Sequence, residues 1–154
     1  MVKAIKLILK EETTFDLFFY DGSVKRYDIL NLADKYPQLN KLKDRSLFLK
    51  GKLIGYSGVI FDDELDIDAQ TVYEEGIDCR DEYDDVELVV LGYKVKEARL
   101  KRGLSQMELS SLIGIDQSDL SKIEKGLANP SLKTLKRIAD GMQYQLSIDF
   151  NLYS

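Results

Sequence analysis

The apolar pattern of this chain changes period partway along. Up to about residue 68, hydrophobic and polar residues alternate in short runs broken by glycines and one Asp-Gly pair. From Leu91 to Met142 the apolar spacing lengthens to three or four residues. Strand side chains change face at every residue, whereas helical ones return to one face every third or fourth. A chain that carries the two patterns in separate blocks is expected to fold as α+β with the blocks segregated. Its 154 residues leave room for one ordinary domain or two small ones, which excludes a large multidomain enzyme. The pattern predicts a small mixed sheet-and-helix domain over residues 1–80 and a helical domain over 88–154, joined between Gly76 and Val86.

Within the first block, Thr14–Tyr20 is rich in β-branched and aromatic residues and runs into Asp21-Gly22, a strong short-range hairpin signal. Ser23–Ile29 follows with alternation, so two antiparallel strands are expected around that turn. Leu30, Leu32, Tyr36, Leu39 and Leu42 are spaced more like a helix, with Pro37 capping, breaking or restarting it. Phe48, Leu53, Ile54, Tyr56, Val59 and Phe61 suggest further strands, and Leu65 and Ile67 alternate with Asp66 and Asp68 in a last one.

Residues 62–87 hold 13 acids against a single base, Arg80. Asp62, Glu64, Asp66 and Asp68 alternate as in a calcium loop. The glycine needed at loop position six is absent, however, and Tyr73 stands where a bidentate glutamate belongs. A solvated face and linker is the simpler reading, with an acidic surface for a basic partner as the alternative.

Residue types exclude much chemistry. There is no histidine, which removes Ser-His-Asp and Cys-His constellations, histidine-ligated zinc and most general acid–base catalysis. The one cysteine, Cys79, can build neither an internal disulfide nor a thiolate metal site, and it suits a reducing cytosol. No apolar run approaches the roughly eighteen residues of a membrane span, and the N-terminus lacks the apolar stretch of a signal peptide. A cytoplasmic, non-enzymatic protein with no cofactor, no metal and no membrane partner is expected.

The net charge of −5 conceals an asymmetry. Residues 1–90 carry 12 Lys/Arg against 20 Asp/Glu, whereas residues 91–154 carry 10 against 7. The second block is therefore net basic and suited to meet an anion.

That block divides into short helices. Val95 and Ala98, flanked by Leu91, form one apolar stripe, and Gly103 ends the helix. Ser105-Gln106-Met107-Glu108 has the form of a capping box. The helix it opens stops near Gly114, Asp116 takes an N-cap position for the next, and Gly126 ends that one. Pro130 and Ser131 start another, with Leu132, Leu135, Ile138, Ala139 and Met142 on its inner side. Tyr144, Leu146, Ile148 and Phe150 alternate with polar residues, as in a strand. Two short helices around Gly114 are what a helix-turn-helix needs.

Residues 91–142, above all GLSQMELSSLIGIDQSDLSKIEKGLANPSLKTL, closely resemble the Cro/C1-type (XRE) helix-turn-helix family. The resemblance implies a five-helix, lambda-repressor-like DNA-binding domain, here followed by the C-terminal strand. Ser110 replaces the usual alanine at the helix crossing, and Gln143 replaces a common terminal glycine. The resemblance puts Gln117, Ser118 and Lys122 on the groove face of the recognition helix, with Ser121 as a further candidate. Helical spacing independently puts 118, 121 and 122 on one face, opposite Leu120 and Ile123. Glutamine suits adenine, lysine guanine, and serine either. Gln106, Asn129 and Lys133 would touch phosphates, and Arg99 and Glu124 would form a partly buried structural salt bridge. Asp119 would favour the helix N-terminus rather than touch DNA.

The first block, ending in FDDELDIDAQTVYEEG, resembles a small α+β bacterial domain family of unknown function found fused to such helix-turn-helix domains, although the family's tryptophan near Phe61 is missing. The expected function is a sequence-specific transcriptional regulator that binds an imperfectly palindromic duplex operator as a homodimer. The alternative is an antitoxin whose acidic first domain neutralises a basic toxin, and a small-molecule sensor in that domain also stays open. The C-terminal strand is expected to pair across a two-fold axis, unless it joins the sheet of the first domain.

Overall fold

The structure is a computed structural model that describes residues 2–150, and it divides into two compact units, residues 1–90 and 91–154.

The first unit is built on a meander. Strands β1 (Ala4–Leu9), β2 (Thr14–Phe19) and β3 (Val24–Asp28) pair antiparallel, and Phe15↔Tyr27 and Leu17↔Lys25 set the β2–β3 register. The β2–β3 turn follows from its residues. Gly22 takes φ 89°, a left-handed value glycine adopts without strain, and Asp21 Oδ1 accepts from the Ser23 amide at 2.9 Å. The segment with helix-like spacing forms two 3-10 turns, Ile29–Leu32 and Pro37–Lys43, and Pro37 opens the second, where its missing N–H costs nothing. After helix α1 (Arg45–Phe48), strands β4 (Lys52–Ile54), β5 (Gly58–Asp62) and β6 (Leu65–Asp68) make a second antiparallel sheet. Phe15, Phe19 and Phe61 pack with Leu17, Leu42, Leu65 and Val72 in the core, joined by Phe48, which lies in α1 rather than in the strand expected there, whereas Tyr56 is exposed.

The acidic stretch is structured rather than a linker. It holds β6, helix α2 (Ala69–Glu75), strand β7 (Ile77–Asp78) beside β3, and a 3-10 turn at Arg80–Glu82. Its carboxylates do local work. Asp62 and Asp78 accept turn amides, Asp68 caps α2 by accepting from the Thr71 amide at 2.6 Å, and Glu82 and Glu87 pair with Arg26 and Arg80. Short acidic side chains satisfy backbone donors where elements begin, so this charge density marks frequent turns. Beneath it lies a buried network: Asp16, fully buried, accepts two hydrogen bonds from Arg26 and one from Tyr83. Burial, together with the nearby Asp16 charge, pushes the Cys79 thiol up to about 11, so it is no thiolate nucleophile at neutral pH.

Helix α3 (Val86–Lys101) begins in the first unit, where Val86, Val89 and Val90 pack with Phe18 and Val24. Its residues from Leu91 belong to the second unit, with α4 (Gln106–Ile113), α5 (Gln117–Glu124) and α6 (Leu132–Gly141). Val95, Leu109, Ile113, Leu120, Ile123, Ile138 and Met142 form this unit's core. Three expectations need correction. Among the described residues the second unit has four helices, not five. Leu132 is 59% exposed rather than on the inner side of α6. Residues 144–150 form no strand and join neither sheet, because a strand exists only through hydrogen bonds to a neighbouring strand, and the backbone bond this segment makes, from the Tyr144 amide to Ala139 O, closes α6 instead.

Candidate nucleic-acid interface

The site begins with how α4 and α5 are joined. Ser105 and Glu108 form both halves of the capping box: the Glu108 amide donates to Ser105 Oγ at 3.0 Å, and the Ser105 amide donates to Glu108 Oε1 at 3.2 Å. Helix α4 closes at Gly114, φ 72° and ψ 37°, whose amide donates to Ser110 O at 2.9 Å. The end carbonyls are not left to water. Arg137, from α6, donates through Nη2 to Ile113 O and Gly114 O. A Cβ on Gly114 would lie 3.2 Å from that same Nη2, so the glycine supplies both the conformation and the room. Ser110 sits buried where the family has alanine, and its hydroxyl donates to Met107 O at 3.0 Å, which removes the cost of burying it.

Helix α5 buries Leu120, Ile123 and Glu124 and exposes Gln117, Ser118, Asp119 and Lys122. Ser121 is half-buried beside them. None of Gln117, Ser118, Ser121 and Lys122 makes a side-chain hydrogen bond or ion pair among the described residues, so their polar groups face outward. A glutamine, two serines and a lysine on one helical face offer the donor and acceptor set that reads base edges. Asp119 lies in the first turn, where its charge suits the helix dipole. Asp116 takes the N-cap backbone conformation, but its side chain makes no capping hydrogen bond.

Behind this face, Arg99 meets Glu124 in a two-pronged ion pair, Nε–Oε2 2.7 Å and Nη2–Oε1 2.9 Å, with both residues buried. The hydrogen bonds to Glu124 raise the Arg99 pKa against the opposing effect of burial. Arg99 Nη1 also donates to Leu104 O at 2.7 Å, tying the end of α3 to the entry of α4. Gln106 donates through Nε2 to Glu124 Oε1 at 3.1 Å. It is half-buried at the first position of α4, beside the free amides of that helix start. Asn129, in the loop after α5, and Lys133, in the first turn of α6, are exposed.

Two residues that hold this arrangement escaped the sequence reading. Gly92 looks like an ordinary interior of α3, yet a Cβ there would lie 2.3 Å from Ile123 O and 2.7 Å from Glu124 O. It lets the end of α5 approach α3 backbone to backbone. A glycine inside an otherwise good helix was the available signal. Arg137 looks like one more surface base, and no pattern along the chain links it to a turn 23 residues earlier.

Two short helices about a left-handed glycine, the second with a polar outer face, define a helix-turn-helix DNA-binding domain. Residues 95–148 match a helix-turn-helix family model. Two curated relatives come from Bacillus phage phi105. The chain is 34% identical to an immunity repressor protein over 59 residues, 38% of this chain and 41% of that protein. It is 38% identical over 58 residues to an ImmF control region 10 kDa protein, 38% of this chain and 64% of that one. The chain thus spans less than two thirds of the length of either relative. Among solved structures, the restriction-modification controller protein C.AhdI from Aeromonas hydrophila is 34% identical, covering 38% of this chain and 89% of its own, with a TM-score of 0.38. Among the described residues, no cluster of His, Cys, Asp or Glu suits a metal, and no helix is long and apolar enough to cross a membrane.

Proposed function

We propose that the protein is a cytoplasmic, sequence-specific DNA-binding regulator that acts as a dimer on an imperfect palindrome, and that it represses. One observation carries the reading. Helix α5 buries Leu120 and Ile123 and turns Gln117, Ser118 and Lys122 outward with no partner among the described residues. The excess of basic residues in 91–154 and the likeness to a phage immunity repressor protein support it. Gln117 and Lys122 contact bases, Ser118 and Ser121 add to the readout, and Gln106, Asn129 and Lys133 bind phosphates. The first unit receives a partner or ligand that modulates the second. Selection of duplexes from random DNA with the full chain tests the proposal. It should return two half-sites about one helical turn apart, and Lys122→Ala should lose the selected sequence. No enriched sequence would overturn it.

A further inference from the structure

The first unit is acidic as a whole, but its charge is segregated. Residues 41–52, KLKDRSLFLKGK, hold five bases against one acid, Asp44, whereas the rest of residues 1–90 hold 7 against 19. The structure fixes this segment firmly. Leu42 and Phe48 are fully buried in the core of the unit, and Leu47 packs against it. Lys41 and Lys43 stand in the last turn of the 3-10 segment Pro37–Lys43, Lys50 follows α1, and Lys52 opens β4. All four lysines are exposed, and none makes an ion pair or a side-chain hydrogen bond among the described residues.

The other two charges are committed to the fold. Asp44 Oδ1 caps α1, accepting from the Ser46 amide at 3.0 Å and from the Ser46 hydroxyl at 2.7 Å. Those bonds hold the Asp44 carboxyl below its ordinary value and the Lys50 charge adds to the effect, so Lys50 lies within electrostatic reach of the start of α1. Arg45 Nη1 donates to Glu12 O at 2.8 Å, and its guanidinium lies 5.4 Å from the Phe48 ring centroid. Four ammonium groups gathered this way repel one another, in a unit with more than enough carboxylates to pair each of them. A cluster kept apart from those carboxylates is suited to an anion from outside the unit.

We propose that Lys41, Lys43, Lys50 and Lys52 form a second phosphate-binding surface, which takes the backbone of duplex DNA without regard to its sequence. Lysine suits this task, because a point charge on a flexible stem meets a phosphate without demanding one geometry. A lipid surface fits poorly. Helix α1 is four residues long with Phe48 buried, which leaves Leu49 as the one exposed apolar side chain of the segment. The choice of DNA over an acidic peptide rests on the regulator reading above. Residues 91–154 then hold the duplex, and the tethered first unit meets its phosphates at high effective concentration.

Fluorescence anisotropy with the full chain tests the surface, on duplexes of about four helical turns that carry either the selected sequence or a random one. The fourfold variant Lys41→Gln, Lys43→Gln, Lys50→Gln and Lys52→Gln should weaken binding to both duplexes by at least about tenfold. The slope of log K against log salt should fall by about two or more. The ratio of affinities for the two duplexes should stay that of the wild type. Replacing the same four lysines by arginine should restore affinity and slope, which separates lost charge from lost folding. A glutamine variant with wild-type affinity and slope on both duplexes would overturn the surface. So would a glutamine variant that keeps its DNA affinity but loses binding to vesicles of about 30% anionic lipid, or to polyglutamate. A wild-type chain that binds both duplexes equally would count against the regulator reading, and the slope of the glutamine variant would still decide this one.

Discussion

Arg99 and Glu124 grip each other through two parallel hydrogen bonds, 2.7 and 2.9 Å, although 25 residues separate them along the chain. The same Glu124 oxygen that Arg99 Nη2 reaches also accepts from Gln106, so a buried pair orients a side chain at the start of α4. Arg99→Ala would strand a buried carboxylate and release Gln106. A loss of about 3–5 kcal/mol is expected for breaking such a pair. Chemical denaturation of the full chain, followed by the helical signal, measures it. An unchanged midpoint with lost DNA binding would make Arg99 a DNA contact instead.

Lys122→Ala and Gln117→Ala should each cost about 1–3 kcal/mol on the preferred duplex and far less on random DNA. Gln106→Ala should weaken both nearly equally. Fluorescence anisotropy on the two DNAs separates these outcomes, and equal losses for all three variants would mean the groove face is misassigned.

Affinity for duplex DNA should fall steeply with salt, by roughly 0.9 in log K per log salt for each phosphate neutralised. Lys133→Ala should lower that slope by about one phosphate's worth and leave the preferred sequence unchanged. Titrations from 50 to 300 mM salt, on the order of the range where such slopes are read, give both numbers.

Gly114→Ala places a side chain at φ 72° and against Arg137. Strain of about 1–2 kcal/mol is expected from the conformation alone. Gly92→Ala should cost more, since no flexible side chain can yield there: the obstacle is the backbone of α5. Thermal melts that rank Gly92→Ala as the milder change would contradict this packing.

Asp16 gives the first unit an acid-sensitive point. Burial works against its charge, but the hydrogen bonds from Arg26 and Tyr83 and the Arg26 charge prevail, so its pKa lies below the ordinary 3.8. A group depressed on folding stabilises the fold above its unfolded value. That contribution is lost as pH falls through 3.8 toward the folded value. The wild-type melting temperature should therefore drop below pH 4, about where the unfolded carboxylate titrates. Asp16→Asn should be less stable at neutral pH and flatter below it.

Local structure was legible from the order of the residues alone. The Asp21-Gly22 turn, the Ser105–Glu108 capping box, the stop at Gly114 and the alternation of buried and exposed positions along α5 each depend on neighbours within a few residues, and period and turn chemistry report them directly. Tertiary structure decided what depends on distant partners. The 62–87 stretch looked like a linker because charge density does not show which backbone amides the carboxylates cap. Arg137 and Gly92 acquire roles only from the turn and the helix that pack on them. Residues 144–150 have the alternation of a strand, yet within the described chain they are not one: alternation is a property of the sequence, whereas a strand needs a second strand to bond with.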